Sequence, residues 1–161
     1  MTSEWPERDL GVVRTAVIVE DDPELRRLIA SVFESAGFAT VSVDNGVDAV
    51  RAVLHYQPSI VTMDVRLPGI GGIETIRRIR AESDTRIIIV SGLSEEADVL
   101  VGYSAGADGY IRKPLRPREL RAMVERLMAG IQTGDRTRAA ERRSVVETKQ
   151  ESGQLEIATE R

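Results

Sequence analysis

Short apolar runs recur along the chain, and each is followed by a turn signal and then by an amphipathic stretch. The runs are four to six residues long, which is the usual length of a β-strand. Most of them are rich in Val and Ile and do not alternate with polar residues, as is typical of strands whose two faces are both covered. We therefore predict five strands, at Ala16–Val19, Phe38–Val43, Ile60–Met63, Arg86–Val90 and Gly109–Arg112.

The intervening stretches have apolar residues at steps of three and four, which predicts helices with one buried face. The first begins near Pro23, a residue suited to the first turn of a helix, and Gly37 marks its end. The fourth, from Ser94 to the stop at Gly106, has the sparsest apolar face, so we expect it to pack less firmly and to be a moving part. The second runs to Tyr56, the third follows residues 70–72, and the fifth opens at Pro117.

Regular alternation of strands and helices predicts an α/β fold, because each parallel connection needs a helix to cross over the sheet. We expect a doubly wound, five-stranded parallel sheet with strand order 2-1-3-4-5 and helices on both faces. Strands 1 and 3 are then neighbours at the point where the chain changes direction. Residues that follow these two strands should meet at one edge of the sheet.

One domain accounts for most of the 161 residues, and we place it at residues 15–130. Residues 1–14 are polar and without period, so they are interpreted as a flexible lead-in. Residues 131–161 are interpreted as a charged linker or tail. Residues 154–159 within it alternate like a half-exposed strand, so the tail is either disordered or the start of an output domain that this chain lacks.

Composition narrows the range of functions. A net charge of -4 argues against nucleic-acid binding by this chain alone, because phosphate backbones require clustered cations. The absence of cysteine excludes disulfides and thiol chemistry. No window approaches the roughly 18 apolar residues that a membrane helix requires, and the first eleven residues carry no export signal. We expect a cytoplasmic protein that does not contact membranes.

Acidic side chains follow the two strands that the fold makes neighbours. Glu20 and Asp21 follow strand 1, and Asp64 follows strand 3. Carboxylates held this close repel each other unless a cation lies among them, and oxygen ligands suit Mg²⁺ or Mn²⁺. We therefore predict a divalent metal site. Asp22 is better explained as the N-cap of the first helix than as a ligand.

A hydroxyl and an ammonium group are predicted at the same edge, because Ser91 ends strand 4 and Lys113 ends strand 5. A carboxylate beside a metal, an ammonium and a hydroxyl is a set suited to accepting a phosphoryl group. Asp64 would be the nucleophile, and Lys113 would balance charge on the phosphoryl oxygens. His55 lies on a helix away from this edge and is assigned no role.

Several short motifs occur together within about residues 15–129: Glu20-Asp21-Asp22, Met63-Asp64, Leu67-Pro68-Gly69, Ser91-Gly92, Gly106-Ala107-Asp108-Gly109-Tyr110 and Lys113-Pro114. Together they resemble the receiver domain of two-component response regulators. The resemblance implies that Asp64 is the phospho-acceptor, that Ser91 is the switch hydroxyl and that Tyr110 is the switch aromatic.

The same resemblance implies a metal site and a signalling role. Asp21 would be the closer metal ligand, with Glu20 completing the acidic pocket and Arg66 contributing its backbone carbonyl. A histidine kinase would supply the phosphoryl group. The protein would then be no enzyme beyond catalysing its own phosphorylation and slow dephosphorylation.

The resemblance gives only a weak indication of which output function the receiver controls. The tail resembles the linker and first strand of winged-helix DNA-binding regulators, so DNA would be bound only through an output domain missing from this chain. Such receivers dimerise through helix 4, strand 5 and helix 5. Here Val99 and Leu100 stand where a basic residue is expected and Gly109 replaces an Asp, so a homodimer would have to be more apolar. Gly71 also replaces a common Asp.

Three alternatives remain open at this stage. The chain could be a stand-alone receiver that acts through protein–protein contacts. It could be a metal-dependent phosphatase with an Asp nucleophile, although such enzymes commonly carry a second Asp two residues on, where Arg66 stands. It could also be an inert receiver-like module, although that class would lose Asp64, Lys113 or the acidic pair, and all are present.

Overall fold

A computed structural model describes residues 13–130, in which five strands and five helices alternate. The predicted lead-in and tail lie almost entirely outside the described residues. The strands are β1 (Thr15–Val19), β2 (Ala39–Val43), β3 (Ile60–Met63), β4 (Arg86–Ser91) and β5 (Gly109–Arg112). The helices are α1 (Pro23–Ser35), α2 (Gly46–Tyr56), α3 (Gly71–Glu82), α4 (Glu96–Ala105) and α5 (Pro117–Ala129).

All strands pair in parallel, in the order β2-β1-β3-β4-β5, which confirms the predicted fold. The register sets the site: Val19 at the end of β1 lies opposite Met63 at the end of β3. Glu20 and Asp64, the residues that follow, therefore leave neighbouring strands at the same level. The Asp64 N–H also donates to the Val19 carbonyl at 3.0 Å.

Two apolar cores cover the two faces of the sheet, because successive strand residues point to opposite sides. On one face α1 and α5 bury Phe33 and Leu120 against Ile18 and Ile88. On the other face α2 and α3 bury Ala52 and Ile76, with their neighbours, against β1, β3 and β4. Burial on both faces explains the unbroken apolar runs of the three central strands, whereas the edge strand β2 is partly exposed and alternates apolar with polar residues.

Element boundaries differ from the sequence predictions by one or two residues. β2 begins at Ala39, and β4 continues through Ser91. α3 begins at Gly71, within the glycine pair that we interpreted as its lead-in. α4 begins at Glu96 rather than Ser94 and buries only Gly102 and Ala105, in agreement with its sparse apolar pattern.

A buried ion pair closes the edge of the sheet opposite the strand ends that carry the acidic residues. Arg80 of α3 donates from Nη2 to Asp108 Oδ2 at 2.8 Å, and both side chains are largely buried. Its Nε donates to the Gly106 carbonyl at 2.9 Å and its Nη1 to the Thr85 carbonyl at 2.6 Å. Because each end of the pair has further hydrogen bonds, the cost of burying two charges is offset. The loop between α4 and β5 is thereby fixed to α3.

Candidate functional site

The predicted acidic residues converge at the carboxyl ends of β1 and β3. Carboxylate oxygens of Glu20, Asp21 and Asp64 all lie within 4.8 Å of one another. Glu20 and Asp64 are buried, at 1% and 3% exposure, while Asp21 is exposed. The open side of the cluster is therefore the side of Asp21.

Asp22 does not join this cluster. Its side chain accepts a hydrogen bond from the Glu24 N–H at 2.9 Å and caps α1, as the sequence favoured.

Lys113 supplies the cation nearest to the buried carboxylates. It follows β5, and its N–H donates to the Ser91 carbonyl at 2.8 Å. Its Nζ lies 3.3 Å from Glu20 Oε1 and 3.5 Å from Asp64 Oδ2. One ammonium is therefore shared between two carboxylates, and a net negative charge remains on the cluster.

Burial and a neighbouring acidic side chain raise the pKa values of both buried carboxyl groups, with Asp64 acting on Glu20 and Asp21 acting on Asp64. Burial, and then the negative charge of Asp64, raise the pKa of Glu20 to about 7, although Lys113 acts in the opposite direction. Burial likewise raises the pKa of Asp64, against the opposing effects of Lys113 and of the Arg66 N–H, which donates to Asp64 Oδ1 at 3.2 Å. Ionisation of these two carboxyl groups therefore costs free energy in the folded protein.

The cluster fits a hard divalent cation. Three carboxylate oxygens stand close enough to share one ion, and Glu20 Oε2 is buried without a hydrogen-bond partner among the described residues. A buried oxygen of this kind costs free energy unless something compensates it. A small cation that prefers oxygen ligands would compensate it and would also relieve the repulsion that raises the pKa of Glu20.

The raised pKa of Glu20 predicts a pH-dependent stability for the metal-free protein. An acid whose pKa is raised on folding stabilises the fold while it is protonated, and this contribution is lost as pH rises through the folded pKa. Without metal, the free energy of unfolding should fall by about 3 kcal/mol between about pH 4.5 and about pH 8 from this group.

Urea denaturation in EDTA across this pH range measures the effect. Glu20→Gln should flatten the profile, since an amide does not titrate. Excess Mg²⁺ should also flatten it for the unaltered protein. A profile that keeps its full slope in Glu20→Gln would assign the dependence to another group.

Glycines let α3 approach the loop that carries Asp64. A β-carbon on Gly72 would overlap the carbonyl oxygen of Asp64, and the Gly72 N–H donates to the Val65 carbonyl at 2.8 Å. Gly71 has φ +67°, a left-handed conformation that glycine adopts without strain and that Asp also tolerates. The replacement of Asp by Gly at this position therefore preserves the turn.

Ser91 and Tyr110 bond to the two ends of the same residue, Leu93. The Leu93 N–H donates to Ser91 Oγ at 3.1 Å, and Tyr110 Oη donates to the Leu93 carbonyl at 2.6 Å. Ser91 is fully buried, and Tyr110 is half-buried beside α4. The sequence predicted both side chains but not the residue that connects them, because that connection uses backbone atoms.

Beside Tyr110, an open groove of about 510 Å³ runs between α4 and α5 over β5. It occupies the face predicted to form a homodimer. Its lining combines charged and tyrosine side chains with a valine and a proline, and the pairing of two chains through this face stays a prediction. These lining residues include Val99, Tyr103, Arg112, Arg116 and Glu119.

His55, to which the sequence analysis assigned no role, lies in the last turn of α2. It packs edge-on against the ring of Tyr56, away from the acidic cluster. Arg66 contributes its N–H to Asp64, and its predicted role as a carbonyl ligand remains a prediction. Within residues 13–130 no helix combines the length and apolarity needed to cross a membrane.

Comparison with known proteins gives one consistent family. Residues 16–125 match the response regulator receiver domain. The DNA-binding response regulator MtrA of Mycolicibacterium smegmatis is 37% identical over 108 residues, which cover 67% of this chain and 47% of that protein. The aerobic respiration control protein ArcA of Escherichia coli is 32% identical over 141 residues, covering 88% of this chain and 59% of that protein. The chain thus spans about half the length of the curated relatives it matches.

Solved structures agree. A LuxR-family response regulator from Aurantimonas sp. has a TM-score of 0.68 at 35% identity, with 73% of this chain and 86% of that chain covered. The BeF3-activated receiver domain of Klebsiella pneumoniae RstA has a TM-score of 0.66 at 28% identity, with 70% and 96% covered. The match over residues 16–125, the strand order and these relatives together establish that the chain belongs to the response regulator receiver domain family.

Proposed function

We propose that this receiver is a phosphorylation-operated switch in which Asp64 accepts a phosphoryl group from the phosphohistidine of a histidine kinase. The observation that carries the proposal is the position of Asp64, a buried carboxylate whose Oδ2 lies 3.5 Å from Lys113 Nζ and which shares a cluster with Glu20 and Asp21. A carboxylate oxygen, an adjacent cation and a set of metal-binding acids are what in-line phosphoryl transfer requires.

In the transfer, an oxygen of Asp64 forms a bond to phosphorus as the phosphorus–nitrogen bond to the donor imidazole breaks. The electron pair of the broken bond stays on the imidazole nitrogen. The Arg66 N–H orients the carboxylate through Oδ1, and Lys113 pairs with phosphoryl oxygens that would otherwise face the charges of Glu20 and Asp21. Phosphoryl transfer of this kind depends mostly on such positioning and charge balance.

The acidic cluster would hold Mg²⁺ or Mn²⁺, with Asp21 and Asp64 as carboxylate ligands, Glu20 completing the pocket and the Arg66 carbonyl as a further ligand. When bound, the ion supplies positive charge to the phosphoryl oxygens. The support lies in the donor set and in the buried Glu20 Oε2, for which residues 13–130 provide no hydrogen-bond partner. The exposed side of Asp21 leaves a path for the ion and the donor to enter.

Signal output follows from the bonds at Leu93. A phosphoryl group on Asp64 would compete for the Ser91 hydroxyl, which now accepts from the Leu93 N–H. Loss of that bond would loosen the backbone of Leu93, whose carbonyl holds the Tyr110 hydroxyl. The groove formed by α4, β5 and α5 would then change shape and partner preference, including pairing with a second copy of the chain.

We further propose that the controlled output is DNA binding by a domain outside this chain. The support comes from relatives: MtrA is named as a DNA-binding response regulator, and a second relative is the phosphate regulon transcriptional regulatory protein PhoB of Pseudomonas aeruginosa. The net charge of -4 is consistent with a receiver that does not bind DNA itself.

Incubation with a small phosphodonor and Mg²⁺, followed by intact mass measurement, tests the function. We expect one phosphoryl group per chain, labile at alkaline pH and absent when EDTA is present. Borohydride reduction of the acyl phosphate and peptide mapping should locate it at Asp64. Rapid multiple turnover of the donor would favour a phosphatase, and no uptake would favour an inert module; either result contradicts the proposal.

A further inference from the structure

Arg26, in the first turn of α1, folds back onto the acidic loop. Its Nη1 donates to the carbonyl oxygen of Glu20 at 2.8 Å and lies 3.4 Å from the carbonyl oxygen of Asp21. The side chain is half-buried, whereas that of its neighbour Arg27 is exposed. One guanidinium nitrogen thus contacts two successive peptide groups of the loop.

These contacts constrain the direction of the acidic side chains. The Glu20 N–H donates to the Val43 carbonyl at 3.1 Å, so the backbone of Glu20 is held at its nitrogen by β2 and at its oxygen by Arg26. Fixing both peptide groups of a residue leaves little freedom in its φ and ψ angles, and the Cα–Cβ bond follows from them. Arg26 extends this constraint to Asp21 through the second carbonyl. Hydrogen bonds from an ionised donor are well suited to this task because they are stronger than neutral ones.

We infer that Arg26 is a positioning residue for the metal site. Its hydrogen bonds to the acidic loop go to backbone carbonyls, and it sets Mg²⁺ affinity by holding the backbone that aims Glu20 and Asp21 at Asp64. This inference rests on the proposed function, because it assumes that the acidic cluster binds Mg²⁺.

Positioning and simple electrostatics predict opposite results for the loss of Arg26. A guanidinium near the cluster repels a divalent cation, so if only its charge mattered its removal would tighten Mg²⁺ binding. If it orients the ligands, its removal weakens binding, as happens when groups that support metal ligands are removed. The sign of the change therefore identifies the role.

Calorimetric titration of Mg²⁺ into the full chain provides the test. Arg26→Ala should weaken Mg²⁺ binding about tenfold. Arg26→Lys should recover part of the loss, since an ammonium can still donate to the Glu20 carbonyl. The matched control Arg27→Ala removes the same charge from the exposed neighbouring position and should leave the dissociation constant within about twofold.

The dependence of the phosphorylation rate on Mg²⁺ concentration is a second measure of Mg²⁺ affinity. Arg26→Ala should raise the Mg²⁺ concentration needed for half-maximal phosphorylation by a similar factor. At saturating Mg²⁺ the rate should approach that of the unaltered protein, because Asp64 and Lys113 are intact. A general loss of structure would instead lower the saturated rate.

Each contrary result has a definite meaning. Equal or tighter Mg²⁺ binding by Arg26→Ala, or an equal loss in Arg27→Ala, overturns the inference and leaves the proposed function standing. Absence of Mg²⁺ binding by the unaltered protein overturns the proposed function itself. If thermal melting in EDTA shows that Arg26→Ala does not fold, Arg26→Met replaces it, because it removes both the charge and the hydrogen-bond donor and the same two signs apply.

Discussion

Asp64→Asn should abolish phosphoryl uptake and at the same time stabilise the metal-free protein. The amide lacks the nucleophilic carboxylate oxygen, so no mass increase is expected with a small phosphodonor at any Mg²⁺ concentration. Burial raises the pKa of Asp64, which means that its charge is carried at a cost in the fold. Removing that charge should raise the free energy of unfolding in EDTA by about 1 kcal/mol near neutral pH.

The matched control is Asp22→Asn. It makes the same change in the adjoining loop, at an exposed residue whose capping role an asparagine can take over. It should keep both phosphoryl uptake and stability near those of the unaltered protein. Uptake by Asp64→Asn, located by borohydride reduction at another residue, would move the acceptor elsewhere. A loss of stability in Asp64→Asn would contradict the electrostatic account of the cluster.

Lys113→Met should slow phosphorylation by about a hundredfold or more, the effect typical of losing one preorganised charge contact in a transition state. Its Nζ is the cation nearest both Glu20 Oε1 and Asp64 Oδ2, and methionine keeps much of the volume without the charge. The rate of phosphoryl uptake from a small phosphodonor at saturating Mg²⁺ measures the loss. Because Lys113 also lowers the pKa values of both acids, those values should rise in the variant.

Mg²⁺ affinity separates this effect from general damage. The ammonium competes with the metal for the same carboxylates, so Lys113→Met should bind Mg²⁺ at least as tightly as the unaltered protein at pH values above the raised pKa of Glu20. Arg118→Met, an exposed change on α5, should alter neither rate nor affinity. A hundredfold loss accompanied by loss of Mg²⁺ binding would indicate that the site had collapsed. An unchanged rate would remove Lys113 from the mechanism.

The fold was predictable because burial on both sheet faces leaves a simple sequence pattern. Ile60–Met63 and Gly109–Arg112 have the bounds predicted from their apolar runs and turn signals. The end of a strand was harder to predict where strand pairing continues beyond the apolar run. Ser91 is polar yet still pairs in β4, opposite Arg112, because backbone hydrogen bonds do not depend on the side chain.

The acidic cluster was predictable from topology, since parallel strands bring their carboxyl ends to one edge. Contacts made through backbone atoms could not be predicted in this way. Arg26 looked like any charged residue on an exposed helix face, yet it bonds to two carbonyls of the preceding loop. Leu93 has an ordinary apolar side chain, yet its backbone N–H and carbonyl connect Ser91 to Tyr110. The position of Arg26, in the first helical turn after an acidic loop, is a sequence signal from which its contact with that loop could have been predicted.

The two ends of α4 are restrained very differently. At its C-terminal end the Gly106 carbonyl accepts from Arg80, whose guanidinium also binds Asp108 and so ties this end to the rigid side of the sheet. At its N-terminal end, within the part of the chain that the structure describes, no side chain caps the helix at Glu95. Because α4 is anchored next to its C-terminal end and less restrained at its N-terminal end, a displacement at Leu93 would move Glu96 and Asp98 more than Ala105, which lies next to the anchored end.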